Sequence, residues 1–365
     1  YLGGIHMKLK KLFAGVVAAA MIATMSFPAF AADINADSSV GQAAPGGTLN
    51  IAKTYTVNHG SFNSESVNLE LVPFGEGDYV HVTKSSETDA NAERMLPTFT
   101  ADADADATNG GSIVMNVPNY TKVGVYTYQV KEKDGDTLGM TYDPKTYTLQ
   151  VIVGNKIEND QIVAGGEKVC YVTMLDGTTK QNSVKNTYNA GTLNITKTVQ
   201  GNMGDRSTDT KFDFVATFKV PTGKTLRSDI VLPEGYTIDW NSTKTAGTVK
   251  FQLSHSETFS VQNLPKDIEY SVVEMNGETS LANGAYITNA AGENTYQVSY
   301  DNFVNGTVGT TEMTDENVIA TNITNTWGST IDTGVILDNA PYILMLAVVA
   351  GAAMTLVIKK RREEE

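Results

Sequence analysis

Thr48-Leu49-Asn50-Ile51-Ala52-Lys53-Thr54 returns 144 positions later as Thr192-Leu193-Asn194-Ile195-Thr196-Lys197-Thr198. Residues two apart in a β-strand point to the same face. Leu49, Ile51, Lys53, Tyr55 and Val57 therefore share one side, and Leu193, Ile195, Lys197 and Val199 share the corresponding side of the second copy. A lysine thus faces with the apolar set, at the same place in both copies.

The duplication extends outward. Val130-Lys131-Glu132 returns in Val272-Val273-Glu274, and Val184-Lys185-Asn186-Thr187-Tyr188 returns as Ile323-Thr324-Asn325-Thr326-Trp327. A unit of about 140 residues occurring twice predicts tandem domains rather than a solenoid of short repeats. Neither copy has sustained helical periodicity. Both have short alternating runs, such as Tyr126/Tyr128/Val130, Tyr147/Leu149/Val151/Val153 and Phe212/Phe214/Ala216/Phe218. Turn-rich stretches such as Asp134-Gly135-Asp136 and Asn305-Gly306 separate them, which predicts an all-β fold of two antiparallel sandwiches. The expected division is a flexible Gly/Ala/Ser-rich lead-in at 32–46, a first domain at 47–189 and a second at 190–329.

The 365 residues are 41% hydrophobic, with 32 Gly and 10 Pro, which excludes collagen, low-complexity disorder and a multi-span membrane protein. Residues 1–31 read as a pre-sequence and secretory leader. Lys8, Lys10 and Lys11 precede an apolar run over 12–27, and Ala29-Phe30-Ala31 is a small-x-small cleavage site. Residues 330–365 form a tail. Its uncharged apolar run, 340–358, is just long enough to span a bilayer as a helix, and Lys359, Lys360, Arg361 and Arg362 would hold that end in the cytoplasm. Between the ends, 32–334 holds 20 basic and 37 acidic side chains, net −17, which disfavours nucleic acid as a partner. Cys170 is the only cysteine, so an exported chain must gain its robustness without an internal disulfide.

Glu132 is in phase with Tyr126, Tyr128 and Val130, and Glu274 with Tyr270 and Val272. Asn186 is in phase with Val184 and Tyr188, and Asn325 with Ile323 and Trp327. Each domain thus directs one Lys, one Glu and one Asn inward. An isolated buried charge is costly, so such groups neutralise, pair or react. Desolvation lowers a lysine pKa and raises a glutamate pKa, leaving a neutral amine and a neutral acid. The amine can then attack the Asn side-chain carbonyl, with Glu hydrogen-bonded to the amide oxygen and relaying protons to departing ammonia. The product is a Lys–Asn isopeptide bond between first and last strands. A competing reading has the lysines snorkelling outward while Glu and Asn form a buried hydrogen-bonded pair.

These motifs closely resemble the streptococcal-type major pilins, whose two immunoglobulin-like domains each carry an internal isopeptide bond. The resemblance covers about 47–334. It is carried by the run from Gly124 to Glu132 with Tyr142-Asp143 and Tyr147-Thr148-Leu149-Gln150-Val151, by Val184-Lys185-Asn186, and by Gly204-Asp205-Arg206-Ser207 followed by Phe212-Asp213-Phe214. It implies that Lys53, Glu132 and Asn186 form one bond site and Lys197, Glu274 and Asn325 the other. It further implies a structural subunit rather than an enzyme, with no cofactor, polymerised on the cell surface by a sortase. In Thr330-Ile331-Asp332-Thr333-Gly334, Thr333 would be the acyl donor and Gly334 the leaving residue. This departs from Leu-Pro-x-Thr-Gly and leaves open which sortase acts, and whether the precursor instead stays anchored in the membrane. Lys180 best matches the family's acceptor, with Lys185, Lys168 and Lys145 as alternatives. Identical subunits, a sortase, minor pilins and peptidoglycan are the implied partners. A non-polymerising anchored adhesin is the alternative, since similar sandwiches display binding loops.

Other constellations are weak. His59, His81 and His255 are widely spaced with no metal-ligand pattern, and no nucleophile-elbow motif frames a serine. Cys170 reads as a small buried apolar residue, and the acidic run 101–106 as a solvated loop without the glycine and terminal glutamate of a calcium loop.

Overall fold

A computed structural model describes residues 38–159, 161–310 and 317–328. The expected leader, Thr333, Gly334, the apolar run 340–358 and the basic tail lie outside the described residues. The fold is all-β; among the described residues the one α-helix is Asp89–Ala92. Alternation explains most strands. In Phe212–Lys219, Phe212, Phe214, Ala216 and Phe218 are buried while Asp213 and Lys219 are exposed. Gly124–Glu132 departs from it, being buried at every position through Tyr128.

The first sandwich has one sheet in the order Gly41–Ala43, Lys168–Asp176, Thr146–Asn155, Gly124–Glu132, Leu69–Val72. Opposite it lie Thr98–Thr100, Gly111–Asn116, Thr48–Asn58 and the first part of Ser183–Gln200. The core between them includes Ile51, Ile113, Tyr126, Val130, Leu149 and Val172. In the second sandwich, Ala246–Leu253, Phe212–Lys219 and Glu269–Asn276 are adjacent in one sheet. The facing sheet holds Thr258–Pro265, the rest of Ser183–Gln200, Val318–Thr326 and Asn294–Tyr300. A separate core packs there around Ile195, Phe214, Phe251, Val272 and Ile323.

Ser183–Gln200 belongs to both halves. Its Ser183–Asn189 portion runs parallel to Ala52–Asn58, and Thr192–Gln200 runs parallel to Val318–Thr326. At 18 residues it extends roughly 60 Å. The sequence places the division near Asn189-Ala190-Gly191; the backbone there continues as strand, with Pro265 opposite Ala190. A small apolar cluster of Phe62, Met140, Tyr188 and Ala190 fills the junction.

The lead-in is not wholly loose. Gly41–Ala43 pairs antiparallel with Cys170 to Val172, and Ser39 Oγ donates to the main-chain oxygen of Gln181 at 2.6 Å. The pairing covers an edge of Lys168–Asp176 that would otherwise present unpaired backbone groups.

Candidate cross-link sites

Parallel pairing of Ser183–Gln200 with Thr48–Asn58 on one side of the junction and with Val318–Thr326 on the other sets the geometry. Lys53 stands opposite Val184, so Asn186, two residues on, shares its inward face. Lys197 stands opposite Ile323, and Asn325 is again two residues on. Each glutamate comes from the opposing sheet: Glu132 beside Leu69, and Glu274 beside Phe214. The six polar residues are all buried, from fully enclosed to 3% exposed.

In the first site the amine of Lys53 donates to Glu132 Oε1 at 2.7 Å, and Asn186 Nδ2 donates to the same oxygen at 2.8 Å. In the second, Lys197 donates to Glu274 Oε2 at 2.8 Å and Asn325 Nδ2 to Glu274 Oε1 at 2.5 Å. The lysines do not snorkel. In both sites the amide nitrogen meets the carboxylate, whereas the sequence reading put the acid on the amide oxygen.

Aromatic rings line both pockets. The Lys53 amine is 5.5 Å from the Tyr55 ring centroid, and the Lys197 amine is 4.6 Å from that of Phe212 and 5.5 Å from that of Phe214. Burial pushes the Lys53 amine below its ordinary value, against the opposing attraction of Glu132. Lys197 is pushed down to about 8, again by burial against Glu274. Burial raises Glu132 and Glu274, each partly offset by its lysine and asparagine. Each pocket therefore favours the neutral amine and neutral acid over what these groups show in water.

The two sites differ on the oxygen side. Asn186 Oδ1 accepts the Asp143 main-chain N–H at 2.9 Å, and that N–H also reaches Glu132 Oε2 at 3.2 Å. Asn325 Oδ1 is buried with no hydrogen-bond partner. The first site also has a second enclosed carboxylate, Glu65, which accepts from Tyr55 Oη and Tyr142 Oη, both at 2.8 Å. Its field adds to those of Glu132 and Asp143 in opposing the fall of the Lys53 pKa. Sequence reasoning missed Glu65, although its phase with the buried Val67 was a usable signal. It also gave Asp143 no role, because a main-chain donor has no residue-type signature.

The candidate acceptor Lys180 is exposed on the short strand Thr179–Gln181, opposite Leu175. Lys185 is exposed beside Asn186 on the shared strand. Lys168 donates to the Gly166 main-chain oxygen at 3.1 Å, and Lys145 pairs with Asp176 at 2.6 Å. Cys170 is buried, its thiol pushed up to about 12 by desolvation.

Family models match these halves separately, whereas relatives match across both. A family described as a Spy0128-like isopeptide containing domain matches 76–189, and a domain of unknown function, DUF7601, matches 191–327. A pilin from Streptococcus pyogenes serotype M1 is 30% identical over 255 residues, covering 66% of this chain and 69% of the relative. Among solved structures, the major pilin T3.2 from Streptococcus pyogenes serotype GAS13637 has 22% identity, covering 78% of this chain and 99% of its own, with a TM-score of 0.47. Another Streptococcus pyogenes major pilin has 18% identity, 78% and 99% coverage, and a TM-score of 0.47. By its extended match to the serotype M1 protein and the isopeptide domain in its first half, this chain belongs to the pilin family.

Proposed function

We propose that each sandwich links itself internally, Lys53 to Asn186 and Lys197 to Asn325, with Glu132 and Glu274 as the promoting acids. The glutamate takes a proton from the lysine, and the neutral amine adds to the asparagine Cγ. The same acid then protonates Nδ2, which leaves as ammonia, and the carboxylate so regenerated takes the remaining surplus proton from Nζ as the amide forms. The reaction is intramolecular and happens once, so the chain is a self-modified structural protein rather than an enzyme with an external substrate. One observation carries this reading: an amine, an acid and an amide converge in two separate water-excluded pockets with the same strand register.

The linked units, over 47–189 and 190–329, are the building blocks of a pilus backbone subunit in this proposal. After export, a sortase would cleave between Thr333 and Gly334 and transfer Thr333 to Lys180 of an identical subunit on the cell surface. The apolar tail would hold the precursor in the membrane until then, and minor pilins and peptidoglycan would join the finished fibre.

Intact mass of the purified segment 32–334 tests the internal links. The expected value lies two ammonia molecules below the calculated mass, and one below after Glu132→Ala. Full calculated mass in the unaltered protein would overturn the reading. Polymerisation is tested by denaturing electrophoresis of cell-wall extracts: a ladder that vanishes in Lys180→Ala is expected, and a single monomer band from the unaltered chain would exclude the backbone role.

A further inference from the structure

We propose that the main-chain N–H of Asp143 is the oxyanion donor for the Lys53–Asn186 reaction, and that the second site works without a counterpart. This rests on the self-linking reading above and adds an order of events to it. When the Lys53 amine adds to Cγ, the carbonyl oxygen of Asn186 takes on negative charge. That oxygen already accepts the Asp143 N–H at 2.9 Å. A donor fixed in advance toward developing charge, in a pocket closed to water, needs no reorganisation as the reaction proceeds.

Asp143 is built into its place. It is 7% exposed, its Oδ2 accepts Tyr147 Oη at 2.5 Å, and its Oδ1 accepts the Lys145 N–H at 3.0 Å. Pro144 follows it and restricts the backbone further. Tyr147 lies on the strand paired with Glu132's strand, so the donor is tied to the sheet that carries the acid. In the second site Glu274 meets the Asn325 amide through its nitrogen alone, and Asn325 Oδ1 is enclosed without a partner.

The labour therefore divides in the first site. Glu132 Oε1 contacts both nitrogens: it receives a proton from the attacking one, gives it to the leaving one, and then takes the attacking nitrogen's second proton as the amide forms. The Nζ–Cγ bond forms, the Cγ–Nδ2 bond breaks and ammonia departs. Asp143 donates a hydrogen bond throughout and transfers no proton. The Lys53–Asn186 bond should consequently form ahead of Lys197–Asn325.

The test uses the full chain made by cell-free translation in detergent, acid-quenched at intervals and digested, with both linked peptides counted by mass spectrometry. In the unaltered chain the first link is expected to appear earlier. Asp143→Pro, which deletes the N–H, should slow it by 10²- to 10³-fold and leave the second link's rate unchanged. A first link forming at the normal rate in that variant, or an equal slowing of both links, would overturn the proposal while self-linking stands. Absence of both linked peptides from the unaltered chain would instead remove the underlying reading. A measurement needing no variant accompanies these: nuclear magnetic resonance on the unaltered linked protein should show scalar coupling across the hydrogen bond between the Asp143 nitrogen and the residue 186 side-chain carbon. No coupling there refutes the donor role.

Discussion

Lys197 is wrapped by Phe212 and Phe214, and its amine is pushed down to about 8. That value fixes one side of a pH profile for the second link. The reactive pair carries one proton between amine and acid, whether written as an ion pair or as two neutral groups, so the pair titrates as a unit. Above about pH 8 that proton is lost, and no acid remains for the leaving ammonia. Below the raised pKa of Glu274 a second proton binds and the amine loses its nucleophilic lone pair. Formation of the Lys197–Asn325 link should therefore be fastest between these limits and fall off on both sides, as read by acid-quenched mass spectra of newly made chains. A rate still climbing well above pH 8 would contradict the shared proton. Glu132→Gln, which keeps the shape but cannot carry the proton, should leave the mass one ammonia molecule higher, with the second link intact. The residues behind these predictions were legible early, because an inward lysine, glutamate or asparagine breaks a two-residue alternation visibly. Asp143 was not, since it donates through its backbone while its side chain only anchors it, to Tyr147 and the Lys145 N–H.

At the scale of the strand, register decides whether amine and amide meet. A one-residue slip turns every side chain to the opposite face. Exchanging Thr324 and Asn325 should move the amide outward and abolish the second link, seen as a mass gain of one ammonia molecule with the first link unaffected. The strand bearing Lys53 has a second constraint at Gly110. This residue adopts φ 73°, and a Cβ there would approach the Lys53 main-chain oxygen to 2.3 Å. Gly110→Ala should destabilise the first domain by more than about 1 kcal/mol in urea unfolding. Slower Lys53–Asn186 linkage should accompany it, because the strand carrying the amine must shift. Alternating segments such as Phe212–Lys219 could be read directly from the sequence. The strand Gly41–Ala43 could not, because a short Gly/Ala-containing edge strand pairs through its backbone and leaves no hydrophobic period. The continuity of Ser183–Gln200 was hidden for a similar reason: Asn189-Ala190-Gly191 has the composition of a turn, while pairing to Pro265 and Leu264 keeps it extended.

Across the whole molecule, each proposed link closes a loop of about 130 residues, which on the chain-entropy account stabilises by roughly 4 to 5 kcal/mol. Losing one should lower the melting temperature of its own domain by roughly 10 to 20 °C. Calorimetry of Glu274→Ala against the unaltered protein checks this, and coincident melting would show that the link adds no stability. Reductant should change neither curve, since Cys170 is a buried free thiol. The shared strand gives the second link a mechanical consequence. Asn186 and Lys197 are both on it, eleven positions apart. With the Lys197–Asn325 link closed, a pull entering at Lys180 passes along this strand to Lys197, crosses to Asn325 and leaves toward residue 328. Nearly all of the folded chain lies off that line of tension. The molecule then has no slack to pay out under load, and it would have to rupture a covalent bond before it could lengthen.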